Sequence, residues 1–373
     1  MQEGDISFFK RFLSLSRLVR AVDIEIGPCG DWRKCRMDFH PNKAETHFVF
    51  GGDLFDHGPG DLRMAECLLN FKQKYPEQVT LLAGNRDLNK LRLLAELDPV
   101  YLQLPPDDPG IFVPYWVPKK YLTTLAEHIE AIKRVKSQSN STAHSPLDFV
   151  PQSWRQVSGN INVDTPEERL RWMLKHTMGA RGSFEYRRHE LAVLRGDGHE
   201  PVASVSDNDV LNSYRDSVRP GGILREYLLE TDIMKIIGDT LFVHGAITAE
   251  NVGMMPGEKE DTCRDATEWA SRLNEWKRKQ MEAWCDGRGA AQLEDYGVPG
   301  GSRTVVYNSW LDKSHKPTHN EDAAVAAFLN RSGIIRVVSE MGRELHSVAY
   351  IWSRCSAFFP SCFFLGKGFL NFC

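Results

Sequence analysis

Three glycine-containing sites place metal-competent side chains directly after apolar runs. The stretch "FVFGGD" ends in Asp53, "VTLLAGN" ends in Asn85, and "TLFVHG" carries His244 just before its last glycine. A carboxylate, an amide oxygen and an imidazole together suit a divalent cation such as Mn, Fe or Zn. Because a carboxylate can bridge two ions, the set is also compatible with a pair of metals that activates a water and clamps phosphoryl oxygens.

Each of these residues also has an ordinary structural explanation. An aspartate or asparagine after a strand is commonly a turn residue or a helix cap. A single histidine after an apolar strand can be a hydrogen-bonded core residue. The glycines favour the chemical interpretation, since Gly52, Gly84 and Gly245 allow sharp turns and a close approach of the backbone to a ligand.

Alternating strands and helices are predicted around the first two sites. The predicted elements are a strand at 47–52, a helix at 62–75, a strand at 79–83 and a helix at 89–97. This order predicts a parallel α/β sheet. Right-handed crossovers then bring Asp53 and Asn85 to the carboxyl edge of the sheet, where open α/β sheets bind ligands.

The rest of the chain is less regular. Residues 5–20 are predicted to be helical, and 21–45 receive no assignment. A Pro- and Ser-rich insertion follows at about 100–162, with one helix at 122–136, and a mainly helical part at about 165–231. Gly238-Asp239 predicts a hairpin whose second strand leads to His244.

Composition excludes several classes of function. With 373 residues, 42% hydrophobic and 26% charged, the chain is an ordinary globular protein. A net charge of −4 predicts neither a nucleic-acid partner nor a basic membrane surface, and we find no apolar run of spanning length. Eight cysteines without a C-x-x-C pair predict reduced thiols, so we expect a cytoplasmic protein.

The blocks "GDLFDHG", "GNRD" and "VHG" resemble, in order and in strand context, the motif series of calcineurin-like metallophosphoesterases. The stretches "FVFGGDLFDHGPGD" and "GNRDLNK" look closest to a little-characterised eukaryotic branch of that superfamily. The resemblance implies an α/β (α+β) fold, a two-sheet β sandwich flanked by helices, here with helical insertions. We expect this domain to span residues 1–339 and the Cys- and Phe-rich tail, 340–373, to lie outside it.

The same resemblance implies a set of site residues. The implied metal ligands are Asp53, which bridges two ions, Asn85 and His244 on one ion, and Glu3 on the other. The implied catalytic residues are Asp56, His57, Arg86 and Asp87, of which His57 and Arg86 would also bind phosphate.

Arg86 departs from the family pattern. It stands where most members have a histidine that helps to protonate the leaving group. A guanidinium remains charged and is a poor general acid, but its fork can hold phosphate. Asp87 is expected to pair with Arg86 or to cap the following helix.

Both ends of the motif series are incomplete. Glu3-Gly4-Asp5 matches the remainder of the family's first block, whose leading Asp would fall at Met1. No Gly-His block follows the strand "GIIRVVS", and His346 is a candidate substitute in a different sequence context. Losing a ligand typically lowers metal affinity or activity about 10 to 100-fold, so we expect impaired catalysis.

These observations predict a metal-dependent hydrolase of phosphate esters or anhydrides that uses a metal-bound hydroxide, with two Mn, Fe or Zn ions and a phosphorylated substrate. One alternative is a non-catalytic relative that uses the scaffold to bind protein. Another is an incomplete gene model of an active enzyme. In "KHTMGARGSFEYRRHEL", we interpret His176, Arg187 and His189 as a helix face and loop, with a phosphate clamp as the alternative.

Overall fold

The fold is mixed α/β, as expected from the alternation of strands and helices. A computed structural model of the chain describes residues 4–27, 30–41, 46–139, 163–196, 204–257, 263–299, 304–308, 323–339, 350–353 and 369–372. Within these ranges, no helix is both long enough and apolar enough to cross a bilayer.

The helices and strands are numbered along the chain. The α-helices are α1 (Ile6–Leu15), α2 (Asp61–Lys74), α3 (Asn85–Asn89), α4 (Leu93–Glu96), α5 (Leu125–Ser139), α6 (Pro166–Trp172), α7 (Ser183–Arg195), α8 (Asp207–Val218), α9 (Ile223–Glu230), α10 (Ala266–Cys285), α11 (Ala291–Tyr296) and α12 (Ala323–Asn330). The strands are β1 (Val19–Ile26), β2 (Trp32–Phe39), β3 (His47–Phe50), β4 (Val79–Leu82), β5 (Thr231–Asp232), β6 (Met234–Ile237), β7 (Thr240–Val243), β8 (Arg336–Ser339), β9 (Tyr350–Ser353) and β10 (Phe369–Phe372).

In the described part of the chain, the strands form a hairpin and two four-stranded sheets. The first sheet has the order β10-β3-β4-β5, in which β3, β4 and β5 are parallel and β10 is antiparallel. The second sheet has the order β6-β7-β8-β9, with β7 and β8 parallel and both edge strands antiparallel. The hairpin consists of β1 and β2.

The β3-α2-β4 unit explains how the first two site residues meet. Both strands are short, apolar and almost entirely buried, and the parallel register pairs Phe48 with Val79. The connecting helix α2 buries one face, and its Phe71 ring meets Phe48 edge-on at 5.5 Å between centroids. The predicted parallel sheet is therefore confirmed, and Asp53 and Asn85 follow its carboxyl edge.

Alternate residues of β3 and β4 face different cores. Val49 and Leu82 pack with Phe242 of β7 and Val338 of β8, so side chains from the two sheets meet in one buried cluster. Phe48 and Phe50 of β3 and Val79 and Leu81 of β4 join the larger core built with the helices. This alternation is the period-2 pattern of a strand, here with both faces covered.

Three regions differ from the expectations. Residues 21–45, left unassigned, contain most of the β1-β2 hairpin, whose residues face the solvent in part and lack a clean apolar period. The helix predicted at 89–97 begins earlier, as α3, and is interrupted by a 3-10 turn at Lys90–Arg92.

The third difference concerns the tail. Residues 340–373 were expected to lie outside the fold, whereas β9 and β10 each add an antiparallel edge strand to a sheet. Without β10 and β9, β3 and β8 would be edge strands with unpaired backbone N–H and C=O groups, which the added strands satisfy.

Candidate metal centre

The three predicted strand-end residues meet at one point. His244 Nε2 lies 3.3 Å from Asp53 Oδ1 and 3.1 Å from Asn85 Oδ1. Donor atoms about 2.1 Å from one ion, at right-angled to tetrahedral spacing, lie roughly 3.0–3.4 Å apart. His244 Nε2 therefore lies at the separation from each of the two oxygens that a single shared cation requires.

The hydrogen bonding of His244 defines which ring nitrogen can bind a metal. Its Nδ1 lies 2.7 Å from the carbonyl oxygen of Gly51, which can only accept, so Nδ1 carries a proton and donates. In the neutral ring, Nε2 then presents a lone pair toward the oxygens of Asp53 and Asn85. The lone pairs of His244 Nε2, Asp53 Oδ1 and Asn85 Oδ1 repel each other unless a cation or an added proton lies between them. A histidine whose other ring nitrogen donates to a backbone carbonyl is a common metal ligand.

Burial and charge at Asp53 fit the same chemistry. Burial raises the pKa of Asp53, but the charge and hydrogen bond of a protonated His244, followed by the charge of Arg86, more than offset burial and lower the pKa to about 2. The carboxylate is thus ionised and ready to bind a cation. Among the residues that the structure describes, His, Cys, Asp and Glu side chains form no group of three or more that could hold a metal; this cluster takes its third donor from the amide of Asn85.

Close packing of backbone makes this geometry possible. A Cβ on Gly84 would overlap the backbone nitrogen and Oδ1 of Asp53, and a Cβ on Gly52 would lie 2.6 Å from Gly84 N. Asp53 itself has a φ of 56°, in the left-handed region that non-glycine residues rarely adopt. The sequence predicts that Gly52 and Gly84 allow the backbone to approach a ligand closely. In the structure, they allow the loop after β3 and the loop after β4 to approach each other closely.

Asp87 holds the Asp53 loop in place. Its carboxylate accepts backbone N–H groups from Asp53 at 2.8 Å, Leu54 at 2.7 Å, Phe55 at 3.2 Å and Gly84 at 3.0 Å. The Gly84 bond ties Asp87, the third residue of α3, back to the residue before that helix, whereas the sequence predicted that Asp87 would pair with Arg86 or cap a helix beginning at residue 89. Asp87 is fully buried. Burial, followed by the nearby charge of Asp53, raises its pKa to about 6, although the hydrogen bonds from Gly84, Phe55 and Leu54 lower it. Its geometry is that of a positioning residue.

Asp56 is the centre of a second, positively charged cluster. Its buried carboxylate pairs with Arg86 Nη1, with His57 Nε2 at 3.1 Å and with Lys90 Nζ at 3.2 Å. Burial lowers the pKa of His57, Asp56 opposes this, and Arg86 and Lys90 reinforce it, so the ring is held neutral. Lys90 is 1% exposed and was not identified from the sequence, although its spacing of four residues from Arg86 on a helical segment is a usable signal.

A second loop borders this cluster. Helix α6 continues into a π-helical turn at Met173–Thr177, and Gly179 and Gly182 then adopt positive φ angles of 70° and 85°. π-helical turns often occur at functional sites. The Gly179 carbonyl lies 3.5 Å from Arg86 Nη1, and the Ser183 hydroxyl donates to the Asp56 carbonyl. Arg181, between the two glycines, is exposed.

The predicted His176, Arg187 and His189 do not form a phosphate clamp. Arg187 is fully buried, with Nη2 2.8 Å from Asp61 Oδ2. His176 packs against His128, with 5.7 Å between ring centroids, and His189 is exposed on α7. The helix-face interpretation of these residues is consistent with their positions. Glu3 and His346 lie outside the residues that the structure describes.

Comparisons with known proteins found neither a matching family model nor a matching solved structure.

Proposed function

We propose that this chain is a metal-dependent hydrolase of phosphate esters or anhydrides, of the calcineurin-like metallophosphoesterase type. The observation that carries the proposal is the convergence of Asp53 Oδ1, Asn85 Oδ1 and His244 Nε2 at separations of 3.1 and 3.3 Å. These three residues would hold a divalent cation, with Mn, Fe and Zn as the candidates. Such a cation supplies Lewis-acid activation of water and neutralises phosphoryl charge.

The protein's own residues have separable roles in this proposal. His244 is oriented by the Gly51 carbonyl, and Asp87 fixes the backbone on which Asp53 is presented. Arg86, with 23% of its side chain exposed, binds the phosphoryl oxygens of the substrate through charge-assisted hydrogen bonds. His57, 31% exposed and neutral, adds a hydrogen bond at the same surface.

The architecture supports this proposal at a coarser level. We infer that the two sheets form the β sandwich of the superfamily, because Val49 and Leu82 of the first sheet share a buried cluster with Phe242 and Val338 of the second. The candidate ligands Asp53 and Asn85 follow strands of the first sheet, and His244 follows β7 of the second. In this arrangement, the site lies where the carboxyl ends of β3 and β4 meet the carboxyl end of β7.

The test is hydrolysis of p-nitrophenyl phosphate by the full chain with Mn²⁺, measured beside Asp53→Asn. We expect turnover that Asp53→Asn reduces at least about 100-fold, because the substitution removes the one charged ligand. The exposed Asp107 provides a matched control, and Asp107→Asn should retain the activity.

A parallel titration with Mn²⁺ separates the two functional classes. Binding of Mn²⁺ that depends on Asp53, without turnover of any phosphate ester or anhydride tested, would favour the non-catalytic scaffold. Turnover that is equal in wild type and Asp53→Asn would contradict the proposed site.

A further inference from the structure

The two carboxylate oxygens of Asp53 have different neighbours. Oδ1 lies 3.3 Å from His244 Nε2 and accepts the Arg86 backbone N–H at 2.9 Å. Oδ2 instead faces Arg86 Nε, 3.8 Å away. A carboxylate that used both of its oxygens to bridge two metals would offer one oxygen to each ion. Here the second oxygen faces a guanidinium.

The guanidinium is anchored in this position. Its Nη1 pairs with the buried Asp56 carboxylate and lies 2.9 Å from His57 Nε2. The Gly179 carbonyl lies 3.5 Å from the same nitrogen. Because the side chain bridges Asp53 and Asp56, its charge is fixed beside the metal-facing carboxylate, and a guanidinium stays protonated in proteins.

We propose that Arg86 takes the place of one ion of the metal pair, so that the chain binds a single divalent cation at Asp53, Asn85 and His244. This inference rests on the proposed function and replaces the pair of metals that the family resemblance implies with one metal and one fixed positive charge. A second cation at Oδ2 would have to approach the guanidinium against charge repulsion. The arrangement also explains an arginine at a position where a proton donor is expected.

The experiment measures metal content, independently of turnover. Full-length protein is titrated with Mn²⁺ by calorimetry, and its metal content is measured by elemental analysis after gel filtration. We expect one Mn²⁺ per chain. Arg86→Ala should bind Mn²⁺ about 10-fold more tightly, because a cation beside the site is removed. Arg219, which is exposed on the surface, provides the control Arg219→Ala with unchanged affinity.

Arg86→Lys covers the case in which the alanine variant does not fold. It keeps the charge and should bind one Mn²⁺ with an affinity within about 3-fold of wild type. Two ions per wild-type chain would overturn this inference and leave the hydrolase proposal intact. Absence of Mn²⁺ binding would overturn the hydrolase proposal itself. Unchanged affinity in a folded Arg86→Ala variant would also overturn the inference.

A second, independent feature is a pair of buried thiols. Cys35 of β2 and Cys67 of α2 have their sulfur atoms 3.1 Å apart. Cys67 is fully buried and Cys35 is 8% exposed, so Cys35 is the more accessible residue of the pair. The pair joins the β1-β2 hairpin to the helix that follows the Asp53–Asp56 loop.

The hydrogen bond between the two sulfurs and the charges around them lower the pKa of Cys35. The hydrogen bond shared with Cys67 lowers the pKa of Cys35, and burial opposes this. Arg63 and Lys10 lower the pKa further, while Glu66 raises it, and the net direction is downward. The same hydrogen bond, followed by burial, raises the pKa of Cys67. The thiolate is the nucleophilic form of cysteine, so Cys35 is the attacking sulfur.

We infer that Cys35 and Cys67 form a reversible disulfide on oxidation by a peroxide. The Cys35 thiolate attacks hydrogen peroxide, which gives Cys35 sulfenic acid and releases hydroxide. The Cys67 sulfur then attacks the sulfenic sulfur, the S–O bond breaks, and the thiol proton leaves with the oxygen as water. In sum, two thiols and one peroxide give one disulfide and two waters.

Peptide mapping of the full chain tests this inference. Reduced protein is treated with hydrogen peroxide, blocked with iodoacetamide and digested without reductant. We expect a Cys35–Cys67 linked peptide that dithiothreitol releases, and a thermal midpoint raised by about 5 °C in the oxidised form. Cys67→Ala should abolish the linkage, whereas Cys263→Ala should not. Sulfinic acid at Cys35 in wild type without a linked peptide would overturn the inference, and so would two thiols that stay alkylatable.

Discussion

The carboxylate of Asp87 accepts the backbone N–H of Asp53 at 2.8 Å, so one acidic residue positions the candidate metal ligand without touching the metal site itself. The same group accepts the next two N–H groups along the loop and the N–H of Gly84. Both loops that carry the candidate ligands are therefore tied to a single buried carboxylate.

Asp87→Asn should destabilise the fold by about 2–4 kcal/mol, because an amide offers one acceptor oxygen to four N–H groups and brings two donors into a buried space. Urea unfolding without added metal measures the effect on the free energy of unfolding. Asp107→Asn, at an exposed position, should change it by less than about 0.5 kcal/mol. Equal stability of both variants would contradict the positioning role.

Gly84→Ala should lower stability by about 3 kcal/mol, because the added methyl group would overlap Asp53 N and Oδ1. The backbone of Gly84 has φ −88° and ψ 162°, which alanine adopts readily, so the overlap alone causes the effect. Gly27 is the matched control, since a Cβ there meets no heavy atom closer than 3.7 Å. Thermal unfolding of the two variants distinguishes a tight loop contact from ordinary glycine-to-alanine effects.

Lys90→Met should cost about 2 kcal/mol. The substitution preserves the buried stem and removes the ammonium that lies 3.2 Å from Asp56 Oδ1 and 3.1 Å from the Arg86 carbonyl. Asp56 keeps Arg86 and His57, so the loss is smaller than for a fully orphaned buried charge. Urea unfolding measures the free energy of unfolding of Lys90→Met, with Lys119→Met at an exposed position as the control. A free energy of unfolding equal to that of wild type would show that the ammonium does not stabilise the fold.

His176 should weaken the fold in mild acid. Burial, then Lys175, His128 and Arg181, lower the pKa of His176 from 6.5 to about 4. Between these two pH values the unfolded chain binds more protons at this position, so stability falls as the pH drops from 6.5 to 4. His176→Gln should lose less stability than wild type over this window, measured by urea unfolding at several pH values. Parallel curves for the two proteins would contradict the shift.

The sequence carried enough information for the elements with strong local patterns. Short, apolar β3 and β4, the amphipathic α2 between them and the Gly238 hairpin were all predictable from period and turn chemistry. From those elements follows the meeting of Asp53 and Asn85 at one sheet edge. The partner His244 was predictable as a strand-end residue, and its approach to the other two depends on how the second sheet packs.

Tertiary hydrogen bonding accounts for most of what the sequence did not reveal. The sequence predicted a helix beginning at residue 89, whereas α3 begins at Asn85, where the Asp87 carboxylate accepts the backbone N–H of Gly84. Lys90 is buried because Asp56, 34 positions earlier, offers it a charge partner. The β1-β2 hairpin was not predictable because most residues of β1 are half-buried or exposed and show no alternating pattern of burial.

The left-handed backbone of Asp53, with φ at 56°, has an evolutionary consequence. Glycine adopts this conformation with less strain than aspartate does. A lineage selected only for folding would therefore drift away from aspartate at this position, whereas continued selection for a charged ligand would retain it. In homologues, an aspartate at position 53 would indicate selection for a metal ligand. A glycine at that position would indicate selection for the fold alone.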